Sequence, residues 1–204
     1  HSSTSISAGL GIAQAREIMG DSYSVVSIIG DGALTGGMAY EALNNAAQMK
    51  KNFIIVLNDN EMSISKNVGG MSKYLSNVRT KESYAELKIN VVKGLSSIPL
   101  IGKGLSNGLY TVKNLIKQLF VPGMLFEDMG ITYLGPVDGH NVKEMIRVFK
   151  EAKRVRHAVL VHVLTKKGKG YEPAEKNPAR FHGVEPFDIA TGKPLKEKKY
   201  PSYT

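Results

Sequence analysis

The stretch SVVSIIGDGALTGGMAYEALNNAAQMKKNFIIVLN, residues 24–58, constrains the fold more than any other part of the chain. An apolar, β-branched run ends at Gly30, and a short glycine loop follows. The next segment has helical spacing in Met38, Leu43, Ala46 and Ala47, and a second apolar run begins at Phe53. Neither apolar run alternates with polar residues, which is how strands buried on both faces read. Strand, tight loop, helix and strand make a βαβ unit, and its crossover requires the two strands to be parallel.

The flanking segments extend this pattern. Residues 6–19 carry helically spaced Ile, Leu and Ala, with a Ser/Thr cluster before them and Gly20 after, the signature of a capped helix. Further on come a short helix in PGMLFEDMG with Pro122 near its start, a strand ITYLG, an amphipathic helix over residues 141–154 and a strand HAVLVHVLT. Beyond Thr165 the prolines at 173, 178, 186 and 194 favour loop. Residues 73–120 are different, with eight Lys or Arg against two Glu and no strand signal. Leu105, Leu109, Val112, Leu115, Ile116 and Leu119 share a helical face there, although Gly108 interrupts it. The expectation is an α/β fold: a parallel sheet flanked by helices, with a helical, basic and mobile insertion at 67–121 after the second strand. One domain should occupy 1–190, and 191–204 should begin a linker.

Composition limits the function classes. A chain of 204 residues suits one domain, and 42% hydrophobic residues suffice for a core. The absence of cysteine removes thiolate catalysis, disulfides and Cys-based zinc sites. No apolar run approaches the ~18 residues of a membrane span and no signal-peptide pattern is visible, so cytoplasm is the default expectation, or a plastid for a plant source. The formal charge of +9 invites an anionic partner. His1 runs directly into a helical pattern, and KEKKYPSYT resembles a severed linker, so the chain reads as a piece of a longer protein.

GDGALTGG between a strand and a helix suits backbone N–H groups that hold a phosphate, or simply a turn without a ligand. A dinucleotide fingerprint would need a third glycine at position 35, which is Thr35. Asp31 stands between two glycines, where a diphosphate would repel it by kilocalories unless a dication lay between them. A hard cation such as Mg²⁺ takes oxygen ligands, and the neighbouring strand ends in Asn58, Asp59 and Asn60, any of which offers one.

GDG followed at the end of the next strand by an Asn-rich turn resembles the motif of thiamine diphosphate enzymes. Within them, HSSTSISAGLGIA, GDGALTGGMAYEALNNA, NDNEMSIS, GPVDGH and TKKGKGYEPAEKNP resemble the 1-deoxy-D-xylulose-5-phosphate synthase family. The resemblance implies a thiamine diphosphate-binding fold with thiamine diphosphate and Mg²⁺ as cofactors. It implies that Asp31 and Asn60 give side-chain oxygens to Mg²⁺, that Met62 gives its backbone carbonyl, and that Asn60 also borders the cofactor. Gly32 and Ala33 would offer N–H groups to the diphosphate, and His1 and Ser2 would contact the same end. Tyr171 would line the cofactor site, and His182 would be the active-site histidine. Blander readings stand beside these: Ser2 as a helix cap, Asn60 as a turn former, His182 as a solvated loop residue.

The implied reaction is a transketolase-like condensation of pyruvate with glyceraldehyde 3-phosphate with loss of CO₂, serving isoprene and thiamine biosynthesis. A homodimer and a separate pyrimidine-binding domain are implied as partners, and the chain without that domain is expected to be inactive. His140, His157 and His162 read as structural. Lys166, Lys167 and Lys169 could meet a substrate phosphate or form a solvated loop. Another thiamine diphosphate enzyme, of transketolase or dehydrogenase α type, is the nearest competing expectation. A basic nucleic-acid-binding module is the remote one, weakened by an aromatic content of only 7% and the lack of an RNA- or DNA-binding signature.

Overall fold

A computed structural model describes residues 2–80 and 124–195. Four strands, β1 (Val26–Gly30), β2 (Phe53–Asp59), β3 (Thr132–Asp138) and β4 (Ala158–Leu164), form one sheet in the order β1-β2-β4-β3. Every pairing is parallel, as the βαβ reading requires. The described helices are α1 (Ser5–Met19), α2 (Asp31–Leu34), α3 (Gly37–Ala46), α4 (Gly70–Thr80), α5 (Met124–Asp128), α6 (Val142–Ala152) and α7 (Glu172–Lys176).

The sheet carries two apolar layers because its central strands are apolar on both sides. On one face Ile29, Phe53, Ile55, Leu57, Tyr133 and Leu160 pack with α1, α3, α4 and α5. On the other, Ile54, Val56, Val159, Val161 and Val163 pack with Val148 and Ala152 of α6. Gly20 ends α1 at φ 74° as its sequence predicts, whereas Thr4 at its start makes no side-chain cap bond; Asn141, not singled out in the sequence, accepts the Glu144 N–H at 3.2 Å at the start of α6. Arg16 of α1, almost wholly buried, donates to the carbonyls of Tyr23 (2.9 Å) and Asn52 (2.8 Å) and so ties both sheet entrances to one helix.

Two boundaries differ from expectation. Within the segment 67–121 expected as an insertion, residues 70–80 form α4, and its Leu75 and Val78 lie in the core, so this part belongs to the domain body. The helical face at 105–119 lies outside the described residues. Residues 191–195, expected to begin a linker, fold back instead: Asp188 N–H donates to the Lys193 carbonyl (2.8 Å) and Leu195 N–H to that of Pro186 (3.0 Å).

The register decides where chemistry can collect. Gly30 pairs with Asn58 and Asp59 with Leu164, so Asp31, Asp59, Asn60 and Thr165 all emerge at the carboxyl edge of the sheet. In open parallel sheets this edge is where ligands bind.

Candidate cation and diphosphate site

Asp31 opens α2 and Asp59 closes β2, and both side chains are buried in hydrogen-bond contact with each other. Two carboxyls so placed cannot both be left without a cation or a proton. Asp59 is fully engaged. Arg79 of α4 donates from Nε to Oδ2 at 2.9 Å and from Nη2 to Oδ1, His162 Nε2 lies 2.9 Å from Oδ2, and the Glu61 N–H reaches Oδ1 at 3.3 Å. Burial pushes the Asp59 carboxyl up, but the hydrogen bonds from His162 and Arg79 outweigh it and the net shift is down. Among the described residues Asp31 receives only the Asn67 amide, at 2.8 Å, and the adjacent Gly32 N–H. Burial first, then the hydrogen bond and charge of Asp59, push its carboxyl up to about 7.

The strand-end oxygens sort themselves by what they already hold. Asn58 Oδ1 accepts from Thr165 Oγ1 at 2.7 Å, so Asn58 and Asp59 are both tied to elements distant in the chain. Asn60 remains, its Oδ1 accepting the Met62 N–H at 3.1 Å. The turn that follows is closed by Asn67 N–H to the Glu61 carbonyl (3.1 Å) and Ser63 N–H to the Ser65 carbonyl (3.0 Å). Neither bond uses the Met62 carbonyl. Asp31, Asn60 and the Met62 carbonyl could offer one carboxylate, one amide oxygen and one backbone carbonyl, an oxygen set that suits a hard cation completed by water or ligand oxygens. Among the described residues no group of three or more His, Cys, Asp or Glu could hold a metal.

The glycine loop lies directly under this turn. A Cβ on Gly32 would stand 2.8 Å from Ser63 Cβ and 3.0 Å from Asn67 Oδ1, so only glycine lets the two segments meet without a shift. Ser3, which sequence reasoning passed over, donates from Oγ to the Ala33 carbonyl at 2.7 Å and anchors the loop from behind. Ser2 is exposed, and His1 lies outside the described residues.

The arm after β4 reaches the same place. Lys167 Nζ contacts the Ser63 carbonyl and sits 2.8 Å from His182 Nδ1, which brings exposed His182 to the turn over Gly32. Lys166 pairs with Glu175 instead. Tyr171 is placed elsewhere: its hydroxyl donates to the Ile189 carbonyl at 2.8 Å, and its ring packs against Phe181 and Phe187 at 5.6 and 6.0 Å between centroids. A cavity of about 350 Å³ borders the turn, lined by Asn60, Met62, Arg79, Thr165, Lys167 and Glu175 among others.

Three histidines expected to be structural have partners that explain them. His140 accepts the Lys166 N–H on Nε2 at 2.9 Å, His157 Nε2 meets Thr132 Oγ1 at 2.6 Å, and His162 Nδ1 meets the Tyr133 hydroxyl at 2.7 Å. Arg79, Asn67, Tyr133 and His162 are the residues of this site that sequence reasoning missed. No local pattern marks them, since each owes its place to an element distant in the chain.

Comparison with known proteins identifies the family and the fold. The family model for 1-deoxy-D-xylulose-5-phosphate synthase matches residues 1–165. Over 204 residues the chain is 57% identical to the 1-deoxy-D-xylulose-5-phosphate synthase of Lachnoclostridium phytofermentans, spanning all of this chain and 33% of that protein. Over 199 residues it is 56% identical to the synthase of Caldanaerobacter subterraneus subsp. tengcongensis, covering 98% of this chain and 32% of that one. The chain thus spans about a third of the length of these relatives. Its fold is similar to that of transketolase from Campylobacter jejuni, with a TM-score of 0.53 at 20% identity over 87% of this chain and 21% of that one. On the family match and the near-full-length identity together, the chain belongs to the 1-deoxy-D-xylulose-5-phosphate synthase family.

Proposed function

We propose that this chain is the diphosphate-side half-site of a thiamine diphosphate-dependent synthase that condenses pyruvate with glyceraldehyde 3-phosphate with loss of CO₂. The observation that carries the reading is Asp31. It is a buried carboxyl at the head of a glycine loop, beside a second carboxylate whose charge Arg79 and His162 already answer. Asp31 lacks such a partner, and a divalent cation supplies it.

In this reading Asp31, Asn60 and the Met62 carbonyl hold Mg²⁺, and the Gly32 and Ala33 N–H groups, with His1 and Ser2, face the diphosphate. Thiamine diphosphate, when bound, supplies the carbanion chemistry of the reaction, and the metal anchors it. His182 moves protons beside it. The Lys167 ammonium donates to His182 Nδ1, so the neutral ring carries its proton on Nε2 and presents that N–H as the acid. Tyr171 holds the arm through its aromatic cluster, away from the cation turn. The half-site is completed by a pyrimidine-binding domain and operates as a homodimer in the cytoplasm. No described helix is long and apolar enough to cross a membrane.

Isothermal titration of thiamine diphosphate into the chain tests this. Binding should require Mg²⁺ and should vanish in Asp31→Ala with the fold retained by circular dichroism. Metal-independent binding, or binding by a folded Asp31→Ala protein, would overturn the proposed site.

A further inference from the structure

Beneath the cation turn four side chains from four elements form one hydrogen-bonded unit: Tyr133 on β3, His162 on β4, Asp59 at the end of β2 and Arg79 on α4. His162 and Asp59 are almost completely buried, as is Tyr133, and no buried side-chain nitrogen or oxygen among the described residues lacks a partner. Burying a phenol and an imidazole in an apolar layer costs free energy that a leucine at either place would not, so their polar atoms need a reason.

The direction of the bonds supplies one. The carboxylate of Asp59 can only accept, so His162 must present Nε2–H to it, and Nδ1 is then left to accept from the Tyr133 hydroxyl. Tyr133 thereby fixes the ring in one tautomer and one orientation. Gly135, at φ 125°, is what allows this approach: a Cβ there would come within 2.5 Å of the His162 carbonyl. On the other side Arg79 grips the carboxylate with Nε and Nη2 as a fork.

With its rotamer locked, Asp59 meets two parts of the site: the Asp31 carboxyl, and the Glu61 N–H, which it accepts at 3.3 Å. Glu61 sits in the left-handed region at φ 67°, a conformation a non-glycine residue keeps only when its surroundings impose it. The next N–H, that of Met62, is turned back onto Asn60 Oδ1. The Asp59 carboxylate is thus bonded to the one residue whose unusual backbone sets the directions of the Asn60 amide and the Met62 carbonyl.

We propose that Tyr133 and His162 are positioning residues for the divalent cation: through Asp59, clamped by Arg79, they set the turn that presents Asn60 and Met62. This rests on the cation reading given above. It assigns Asp59 to the support of the site and excludes it from the ligand set, although it stands next to Asn60 in sequence and next to Asp31 in space.

The test uses the 204-residue chain with thiamine diphosphate present and Mn²⁺ as the probe, free Mn²⁺ being read by electron paramagnetic resonance. Thermal midpoints are recorded for every variant. Outer partners of metal ligands are worth about 10- to 100-fold in metal affinity. His162→Leu should weaken Mn²⁺ binding within that range, and His162→Gln, which restores an N–H donor toward Asp59, should recover most of it. Tyr133→Phe should give a smaller loss. Val148→Ala, a cavity on the opposite face of the sheet, should lower the thermal midpoint without changing Mn²⁺ affinity. If His162→Leu does not fold, Tyr133→Phe decides. Unchanged Mn²⁺ affinity in folded His162→Leu or Tyr133→Phe overturns the inference alone, as does an equal loss in Val148→Ala. If the unmutated chain binds no Mn²⁺ with thiamine diphosphate, the cation reading falls and this inference falls with it.

Discussion

Asp31 and Asp59 are the same chemical group in contact with each other, yet the fold treats them in opposite ways. Asp59 is surrounded by a guanidinium, an imidazole and a backbone N–H, whereas Asp31 has an amide and its neighbour's N–H. A consequence follows for metal-free protein. The folded state holds the Asp31 proton up to about pH 7, while an ordinary aspartate releases it near 3.8, so the native state binds the extra proton in that window. Stability should therefore fall as pH rises from about 4 to about 7. Thermal midpoints in EDTA across that range should show the decline, and Asp31→Asn should flatten it. Adding Mg²⁺ with thiamine diphosphate at pH 7.5 should raise the midpoint of the unmutated chain and leave Asp31→Asn unmoved.

Among the elements, α4 is the least expected. It follows the strand-end turn, buries Leu75 and Val78, and delivers Arg79 to Asp59. Tyr74 adds an edge contact to Phe126 of α5, whose ring in turn stacks on Tyr133, so packing and the polar network share one wall. Leu75→Ala should cost about 2–5 kcal/mol by denaturant unfolding. It should also weaken cation binding, because the helix that loses its seat carries Arg79. The amphipathic α6 makes a useful contrast. Asn141→Ala removes its cap and should cost about 1 kcal/mol while leaving cation binding unchanged, since α6 covers the opposite face.

Over the whole molecule the proposed site is bordered on one side by the C-terminal arm, where Lys167 links the turn to His182. Lys167→Met should lower the catalytic rate of the completed enzyme more than it changes cofactor affinity, because it releases the histidine and leaves the cation ligands in place. The chain alone should bind thiamine diphosphate yet release no CO₂ from pyruvate, and clear turnover would sink the proposal that a second domain completes the site.

The α/β class, the parallel strands, the Gly20 cap and the meeting of the glycine loop with the turn after the second strand were legible in the sequence. Each rests on periodicity, on a residue's local conformational preference or on a contiguous motif, which are properties of neighbours along the chain. The residues by themselves did not show what Asn58 and Asp59 already hold, because that depends on Thr165, Arg79 and His162, which other elements bring in. It also could not place Ser3 behind Ala33, set Tyr171 within an aromatic cluster or seat α4 in the core. Hydrogen-bond capacity belongs to a residue, but whether that capacity is already spent is decided by which residues the tertiary fold carries to it.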